Sequence, residues 1–303
     1  MIKKNIGIIG CGFIGQAVIK ELVKNKNYNI RVLDRNPNFE KISVNWFEKD
    51  YRDKESISEF ILDLDILIHL ASSTVPASLS LSADIEIKEN ISAMVQLLDL
   101  ARKLNPDIYI IFASSASVYG NQVDFPISEK NMLHPISFHG LQKLSIEHFL
   151  RIYHQLYNIR FASCRISNPY GFGQKNNTLQ GLLSIIKSNF KDNKKVIIYG
   201  VNECSRDFIH ISDLANAFIS LCATKPLNCE VNISSGVETK IINLLKLLEK
   251  IYQENILLEY KELRKFDITR SVLDNSLIRS LTGWKPKKEL SRGLREFMIN
   301  IDN

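Results

Sequence analysis

No run of apolar residues in this chain approaches the ~18–20 that a membrane-spanning helix requires. The opening Met1-Ile2-Lys3-Lys4 also lacks the apolar stretch of a secretion signal ahead of the first strand pattern. Cysteine is sparse and unpatterned. Cys11, Cys164, Cys204, Cys222 and Cys229 show neither paired metal-ligand spacing nor a disulfide framework, which argues against a zinc module and for buried thiols in a reducing compartment. Charge of one sign never accumulates: 39 Lys and Arg are scattered among 33 Asp and Glu, for a formal +6, which argues against a nucleic-acid partner. There is no internal repeat, linker or low-complexity segment. These absences lead us to expect a soluble, cytoplasmic protein with no metal, no membrane contact and no nucleic acid. Its mildly basic balance suits a phosphate-bearing small molecule.

What is present is enough apolar material for a large core, 45% of 303 residues, with 24% charged. Short apolar runs at 5–9, 29–33, 66–70, 108–112 and 161–166 read as strands, and helical patterns fall near 13–25, 84–104 and 137–158. That alternation predicts an α/β fold, a doubly wound parallel sheet with helices on both faces. After Asn168 the spacing turns irregular. A polar stretch, Gly173 to Thr178, precedes an apolar helix, strand and helix signals return at 196–200 and 206–222, and Asn232 to Gly236 closes another strand. In the tail, Leu281-Thr282-Gly283-Trp284-Lys285-Pro286 reads as a helix stopped by glycine and then a turn. We expect a Rossmann unit over 1–167 with roughly 205–230, interleaved with a smaller C-terminal substrate lobe over 168–204 and 231–303.

Gly10-x-Gly12-x-x-Gly15 follows the first strand and opens a helix with Phe13 and Ile14. In such a turn the first glycine permits the bend, the second admits a pyrophosphate close to the backbone, and the third allows close helix packing. Helix N-terminal amides then face the negative charge. Asp34, nineteen residues past Gly15 at the end of the second strand, stands where a carboxylate accepts hydrogen bonds from ribose hydroxyls. This favours NAD over NADP. Arg35 is the residue that would select NADP instead.

Further along come Ser114-Ser115, His139 with Lys143, Asn168-Pro169-Tyr170-Gly171 and Arg206-Asp207-Phe208-Ile209-His210, in that order. Together with the glycine turn they resemble the extended short-chain dehydrogenase/reductase family, in particular its nucleotide-sugar epimerases and dehydratases, over nearly the whole chain. The resemblance implies that Asp50 and Tyr51 hold adenine and that Leu70, Ala71 and Ser72 line the cofactor phosphates. It implies that Ser115 binds the reacting sugar oxygen and that Lys143 binds the nicotinamide ribose. Asn168 would contact the phosphate region of the substrate, and Arg206 and Arg264 would grip its diphosphate, a task suited to guanidinium forks.

Three departures from the family pattern stand out. Ile9 sits where the epimerases usually have glycine, Phe266 replaces the glycine before Asp267, and His139 replaces the catalytic tyrosine. Histidine can move a proton, with an ordinary pKa near ~6.5 against ~10 for tyrosine, but imidazole is shorter than phenol. His139 therefore acts directly or through one water, leaves a weak enzyme whose proton moves elsewhere, or marks a lost activity. The turn Ala116-Ser117 lacks the acid of family members that eliminate water or decarboxylate and resembles the Ser-Ala-Thr turn of the UDP-galactose 4-epimerases. The expected activity is NAD-dependent epimerisation of a nucleotide-diphosphate sugar. A keto-sugar reductase and an NAD-binding sensor are the alternatives. The family also implies a homodimer through the helices near 84–104 and 137–158, with Ile91, Val95, Leu98, Ile146, Phe149 and Leu150 contributing. His69 and His210 read as packed strand residues.

Overall fold

Ile6, Ile8 and Ile9 alternate across the strand β1 (Lys4–Ile9), and all three are fully buried, so this strand lies between two apolar layers. The structure, a computed structural model, describes residues 3–36, 44–72, 84, 87–174, 181–264 and 267–299. Strand β1 pairs in parallel with β2 (Tyr28–Asp34) on one side and β4 (Ile66–His69) on the other. Beyond them lie β3 (Asn45–Glu48) at one end, and β5 (Tyr109–Ser115), β6 (Arg160–Ile166) and β10 (Cys229–Ile233) at the other. All six pairings are parallel, in the order β10-β6-β5-β4-β1-β2-β3. This is the doubly wound order, with its reversal between β1 and β4.

Helices cover both faces. Ile6, Ile8, Ile66, Ile68 and Ile111 pack against α1 (Phe13–Leu22) and the helix Ile211–Ala223. Ile9, Leu67, Ile110 and Phe112 pack against α2 (Lys54–Phe60), α3 (Ser92–Leu104) and α4 (Phe138–Tyr157). Each fully buried Ile or Leu contributes ~1.5–3 kcal/mol, so the period-two apolar pattern fixes which helix lies on which face. A π-helical turn, Ile87–Ile91, precedes α3. Residues 85–86, inside the expected helix at 84–104, lie outside the described residues.

Ser137 caps α4 by accepting from the Gly140 N–H at 3.1 Å, and Asn158 ends it in the left-handed region at φ 59. The expected helix at 137–158 is therefore bounded by its own caps. Strand β3 and helix α2 were absent from the sequence expectation. Four residues are a short strand, and α2 is a seven-residue helix whose start is marked by Asp53 accepting from Ser56 N at 2.8 Å.

The remaining chain builds a smaller lobe. Strand β9 (Ser205–His210) pairs with β7 (Asn168–Tyr170), β11 (Glu238–Lys240) and β13 (Arg270–Ser271), while β8 (Val196–Tyr199) pairs only with β12 (Leu258–Lys261). A separate apolar cluster including Leu183, Ile186, Leu244, Leu248 and Phe297 holds this lobe together. The buried carboxylate of Asp207 ties it to the main sheet by accepting from the Ser235 N–H at 2.9 Å and the Gly236 N–H at 3.0 Å, just past β10. Gly283 ends the helix Ser276–Thr282 at φ 73, as the tail pattern predicts. Polar residues 175–178 lie outside the described residues.

One group of expected interface residues changes place. Leu98, Ile146 and Leu150 are fully buried within the monomer, because α3 and α4 turn them onto the sheet.

Candidate active site

The cofactor turn begins where β1 stops. Gly10 has φ 97, and a Cβ there would lie 2.7 Å from the Ala71 backbone nitrogen, so only glycine lets the chain turn against the end of β4. Among the described residues nothing stands within 4 Å of the Cβ position of Gly12. Gly15 packs against the Gly10 carbonyl. The three glycines thus do the three different things the motif requires. Phe13 and Ile14 point into the apolar layer instead of the cleft.

Above the turn, Asp34 accepts from the Cys11 N–H at 2.6 Å and from the Asn36 N–H at 2.9 Å. These bonds fix the carboxylate at the mouth of a cleft lined by Gly10, Gly12, Arg35, Tyr51, Leu70, Ala71 and Ser72. All of these were expected. Lys49, Arg52 and Glu89 also line it and were not. Asp50 lies beside the cleft, clamped by Arg52 at 2.6 Å with Arg35 at 4.0 Å, and the hydrogen bond to Arg52 holds its carboxyl below the usual range. Tyr51 is pinned by its hydroxyl, which donates to the Glu89 carbonyl at 2.7 Å, and burial pushes its pKa up to about 12.

The second part of the site lies at the end of β5. Ser115 caps the 3₁₀ turn Ala116–Val118 and accepts from the Ser117 N–H at 3.2 Å and the Ser117 hydroxyl at 3.0 Å. The first turn of α4 presses on this segment. A Cβ on Gly140 would fall 2.5 Å from the Ser117 carbonyl oxygen, so the absence of a side chain brings His139 up to the serine turn. One turn later Lys143 is buried, donating to the Ala113 carbonyl at 2.8 Å with its ammonium 4.7 Å from the Phe112 ring centroid. Ser115, His139 and Lys143 thus occupy one strand end and the facing start of a single helix.

His139 is half-buried. Desolvation, reinforced by the charge of Lys143, pulls its pKa down to about 3, so the imidazole is neutral at physiological pH. His69, at the end of β4, is fully buried and shifted down to about 3 for the same two reasons. Its ring sits edge-on to Tyr51 at 5.3 Å. His210 bonds Ser212 at 2.7 Å, and no cluster of metal-ligating side chains occurs among the described residues.

On the substrate side, Asn168 donates to the Asp207 carbonyl at 3.0 Å, and Arg206 donates to the carbonyls of Ser205 at 2.8 Å and Thr269 at 3.2 Å. Arg264 forms a fork with Asp267 at 2.7 and 2.8 Å and lies 4.2 Å from the Tyr199 ring centroid. The ion pair with Arg264 lowers the Asp267 carboxyl, with a smaller contribution from the charge of Arg206. The Phe266 departure lies outside the described residues.

Sequence reasoning missed the brace under this site. Glu147 accepts from Ser114, next to Ser115, and from Arg165 at 2.7 Å; Arg165 donates to the Tyr119 hydroxyl at 3.1 Å, and Tyr119 donates to Asn232 at 2.7 Å. A signal existed, since Glu147 lies four residues past Lys143 on the inward face of an amphipathic helix.

A seven-stranded parallel sheet, a glycine turn answered by an acidic residue at the end of β2, and a serine turn facing a helix lysine define a dinucleotide-binding enzyme of the short-chain dehydrogenase/reductase type. The sequence profile of the NAD dependent epimerase/dehydratase family matches residues 6–234, and the chain belongs to that family. It is 29% identical over 299 residues to a putative UDP-glucose 4-epimerase of Methanocaldococcus jannaschii, covering 97% of each chain. It is 27% identical over 302 residues to the dTDP-4-dehydro-6-deoxyglucose reductase of Escherichia coli, covering 96% of this chain and 95% of that one. Among solved structures, the UDP-glucose 4-epimerase of Thermotoga maritima with UDP-glucose superposes with a TM-score of 0.89 at 28% identity, over 97% of each chain.

Proposed function

We propose that this protein is an NAD-dependent epimerase of a nucleotide-diphosphate sugar, with His139 as its proton acceptor. The observation that carries the reading is the placement of Ser115 at the end of β5 opposite His139 and Lys143 in the first turns of α4, where the Gly140 backbone closes on the Ser117 carbonyl. Gly12, with nothing among the described residues within 4 Å of its Cβ position, and the fixed carboxylate of Asp34 fit a dinucleotide, with Arg35, Tyr51, Leu70, Ala71 and Ser72 along its length. Asp50 contributes at the adenine end. Bound NAD supplies an acceptor that takes a hydride from one sugar carbon and returns it.

The protein's own groups handle the proton. Ser115 positions the reacting hydroxyl, and His139 removes its proton directly or through one water as the carbon is oxidised to a ketone. On reversal His139 would give the same proton back to the oxygen. Lys143 would hold the nicotinamide ribose. Asn168, Arg206 and Arg264 hold the diphosphate, which would displace Asp267 from the arginines. The smaller lobe, 168–204 with the C-terminal segments, is the substrate side. The matched relatives support this reading, since two of those named above are UDP-glucose 4-epimerases by description. The reductase relative supports the alternative of a keto-sugar reductase, which would release its cofactor in each cycle.

The working unit is a homodimer joined through α3 and α4. In place of Leu98, Ile146 and Leu150, the apolar side chains available to it on α4 are Phe138, Leu141, Ile152 and Leu156, all exposed. Ile91, Val95 and Phe149, half-buried, remain as contributors. Incubation with a panel of nucleotide sugars, with and without keto groups, tests the activity, read by product NMR and nicotinamide absorbance together. An epimer formed without net change in absorbance supports the epimerase. Net oxidation of added NADH makes the protein a reductase, and NAD binding with no turnover makes it a sensor.

A further inference from the structure

Three charged side chains of the cofactor cleft, Lys49, Arg52 and Glu89, are left over once the phosphates are given to the glycine turn and residues 70–72 and the ribose to Asp34. Lys49 is paired with Glu59 at 2.8 Å. Arg52 and Glu89 are paired with each other, Nη1 3.0 Å from Oε1, and both side chains are partly exposed where they line the cleft.

Asp50, the acid that the family resemblance gives to adenine, is committed elsewhere. Its Oδ1 accepts from the Arg52 backbone N–H and from Nε, both at 3.0 Å, and its Oδ2 accepts from Nε at 3.1 Å and Nη2 at 2.6 Å. A carboxylate offers about four acceptor sites, and these contacts fill them. Glu89 differs. Among the described residues its carboxylate meets only Arg52, so it keeps acceptor sites for a ligand. The pair is also fixed from the backbone: the Tyr51 hydroxyl donates to the Glu89 carbonyl at 2.7 Å, and Gln96 Nε2 donates to the Arg52 carbonyl at 2.9 Å. Glu89 is presented by the π-helical turn Ile87–Ile91, a form of helix found mostly at functional sites.

The edge of adenine carries an amine that donates beside a ring nitrogen that accepts. A carboxylate that accepts, joined to a guanidinium that still has N–H groups to donate, is the complement of that edge. We propose that Glu89, held in place by Arg52, recognises the exocyclic amine of the dinucleotide's adenine, and that Asp50 acts at this end by anchoring Arg52. The proposal rests on the reading of the cleft as an NAD site.

The test is calorimetric titration of the full-length protein with NAD and with nicotinamide hypoxanthine dinucleotide, whose base carries an oxygen in place of the amine. Wild type should prefer NAD by ~10-fold or more, as the loss of a hydrogen bond to a charged group requires. In Glu89→Gln the amide can accept from the amine or donate to the oxygen, so the preference should fall below ~3-fold. Arg52→Met, of similar length but without the guanidinium, should lower the preference as well, and Arg52→Lys should restore part of it. A general loosening of the cleft would weaken both dinucleotides alike, so the ratio separates recognition from structure, and thermal melting confirms that each variant is folded. Equal binding of the two dinucleotides by wild type overturns the proposal. So does a preference unchanged in Glu89→Gln, and its loss in Asp50→Asn would then return the amine to Asp50. If wild type binds neither dinucleotide, the NAD reading falls and takes the proposal with it. If the preference behaves as stated but no nucleotide sugar is turned over, recognition of the amine by Glu89 stands and the epimerase falls.

Discussion

The guanidinium of Arg165 lies against the carboxylate of Glu147, Nη2 2.7 Å from Oε2, with the two side chains 1% and 3% exposed. A pair so thoroughly removed from water is costly to break, because deleting one partner leaves the other charged and buried. Its place explains its presence. Glu147 projects from the helix that carries His139 and Lys143, and its second contact, Ser114, adjoins Ser115. Glu147→Ala should therefore destabilise the fold by ~3–5 kcal/mol in urea unfolding. Glu147→Gln, which retains the acceptor oxygen, should cost less. A loss under ~1 kcal/mol for the alanine variant would show that the pair does not brace the site.

Two neutral histidines, His69 buried and His139 half-buried, make stability depend on pH. His69 and His139 have folded pKa values near 3, below the ordinary ~6.5 of an unfolded histidine. As pH falls below ~6.5 the unfolded chain takes up protons that the folded one does not, so stability is full above that value and declines down toward about 3. Each such group contributes a slope of up to ~1.4 kcal/mol per pH unit in that window. Replacing His69 by Asn should flatten the fall in unfolding free energy between pH 7.5 and 5.5. An unchanged slope would mean that His69 is protonated in the folded protein.

Cofactor choice follows from the end of β2. Both oxygens of Asp34 accept backbone N–H groups, which fixes the carboxylate at the mouth of the cleft, where the proposed function puts the adenosine ribose. NAD should bind at least ~10-fold more tightly than NADP in calorimetric titration. Asp34→Ser should erase most of that preference by leaving Arg35 to face the phosphate. Tighter binding of NADP by wild type would make Arg35 the selecting residue.

The homodimer is tested by the outer face of α4. Light scattering at micromolar concentration should give twice the 34.7 kDa chain mass. The double change Ile152→Glu with Leu156→Glu, at exposed positions, should give a monomer that still binds NAD. A monomeric wild type would remove the dimer from the account.

Much of this was legible in the sequence, and the exceptions have physical causes. The five expected strands of the first half all form within the main sheet, because their continuous apolar runs match strands buried on both faces. Strand β3 and helix α2 are short, so their patterns were too brief to stand out. The glycine turn was readable from its local spacing, while Ser115 and Lys143 were singled out through the family resemblance. The clamp of Arg52 on Asp50 and the chain Ser114, Glu147, Arg165, Tyr119, Asn232 were not, since most of these partners lie far apart in sequence and meet only when the sheet has formed. Three of the six expected dimer positions, Leu98, Ile146 and Leu150, are unavailable for a related reason. An apolar residue on a helix has the same appearance whether it faces its own sheet or a second copy, and Leu98, Ile146 and Leu150 face the sheet.

The role of His139 is the central claim, and the most direct measurement is the turnover of a nucleotide sugar by wild type, His139→Ala and His139→Tyr across pH, with NAD affinity recorded for each. Wild type should hold a constant rate from pH 6 to 8, because an imidazole with a pKa near 3 is already deprotonated there. His139→Ala should lose ~10²–10⁴ in kcat while keeping its NAD affinity, since the proposed function gives the ribose contact to Lys143. His139→Tyr should retain or raise turnover and move the pH optimum upward, as a phenol lowered by Lys143 becomes the base. Equal turnover in wild type and His139→Ala would contradict the account and remove the imidazole from the mechanism.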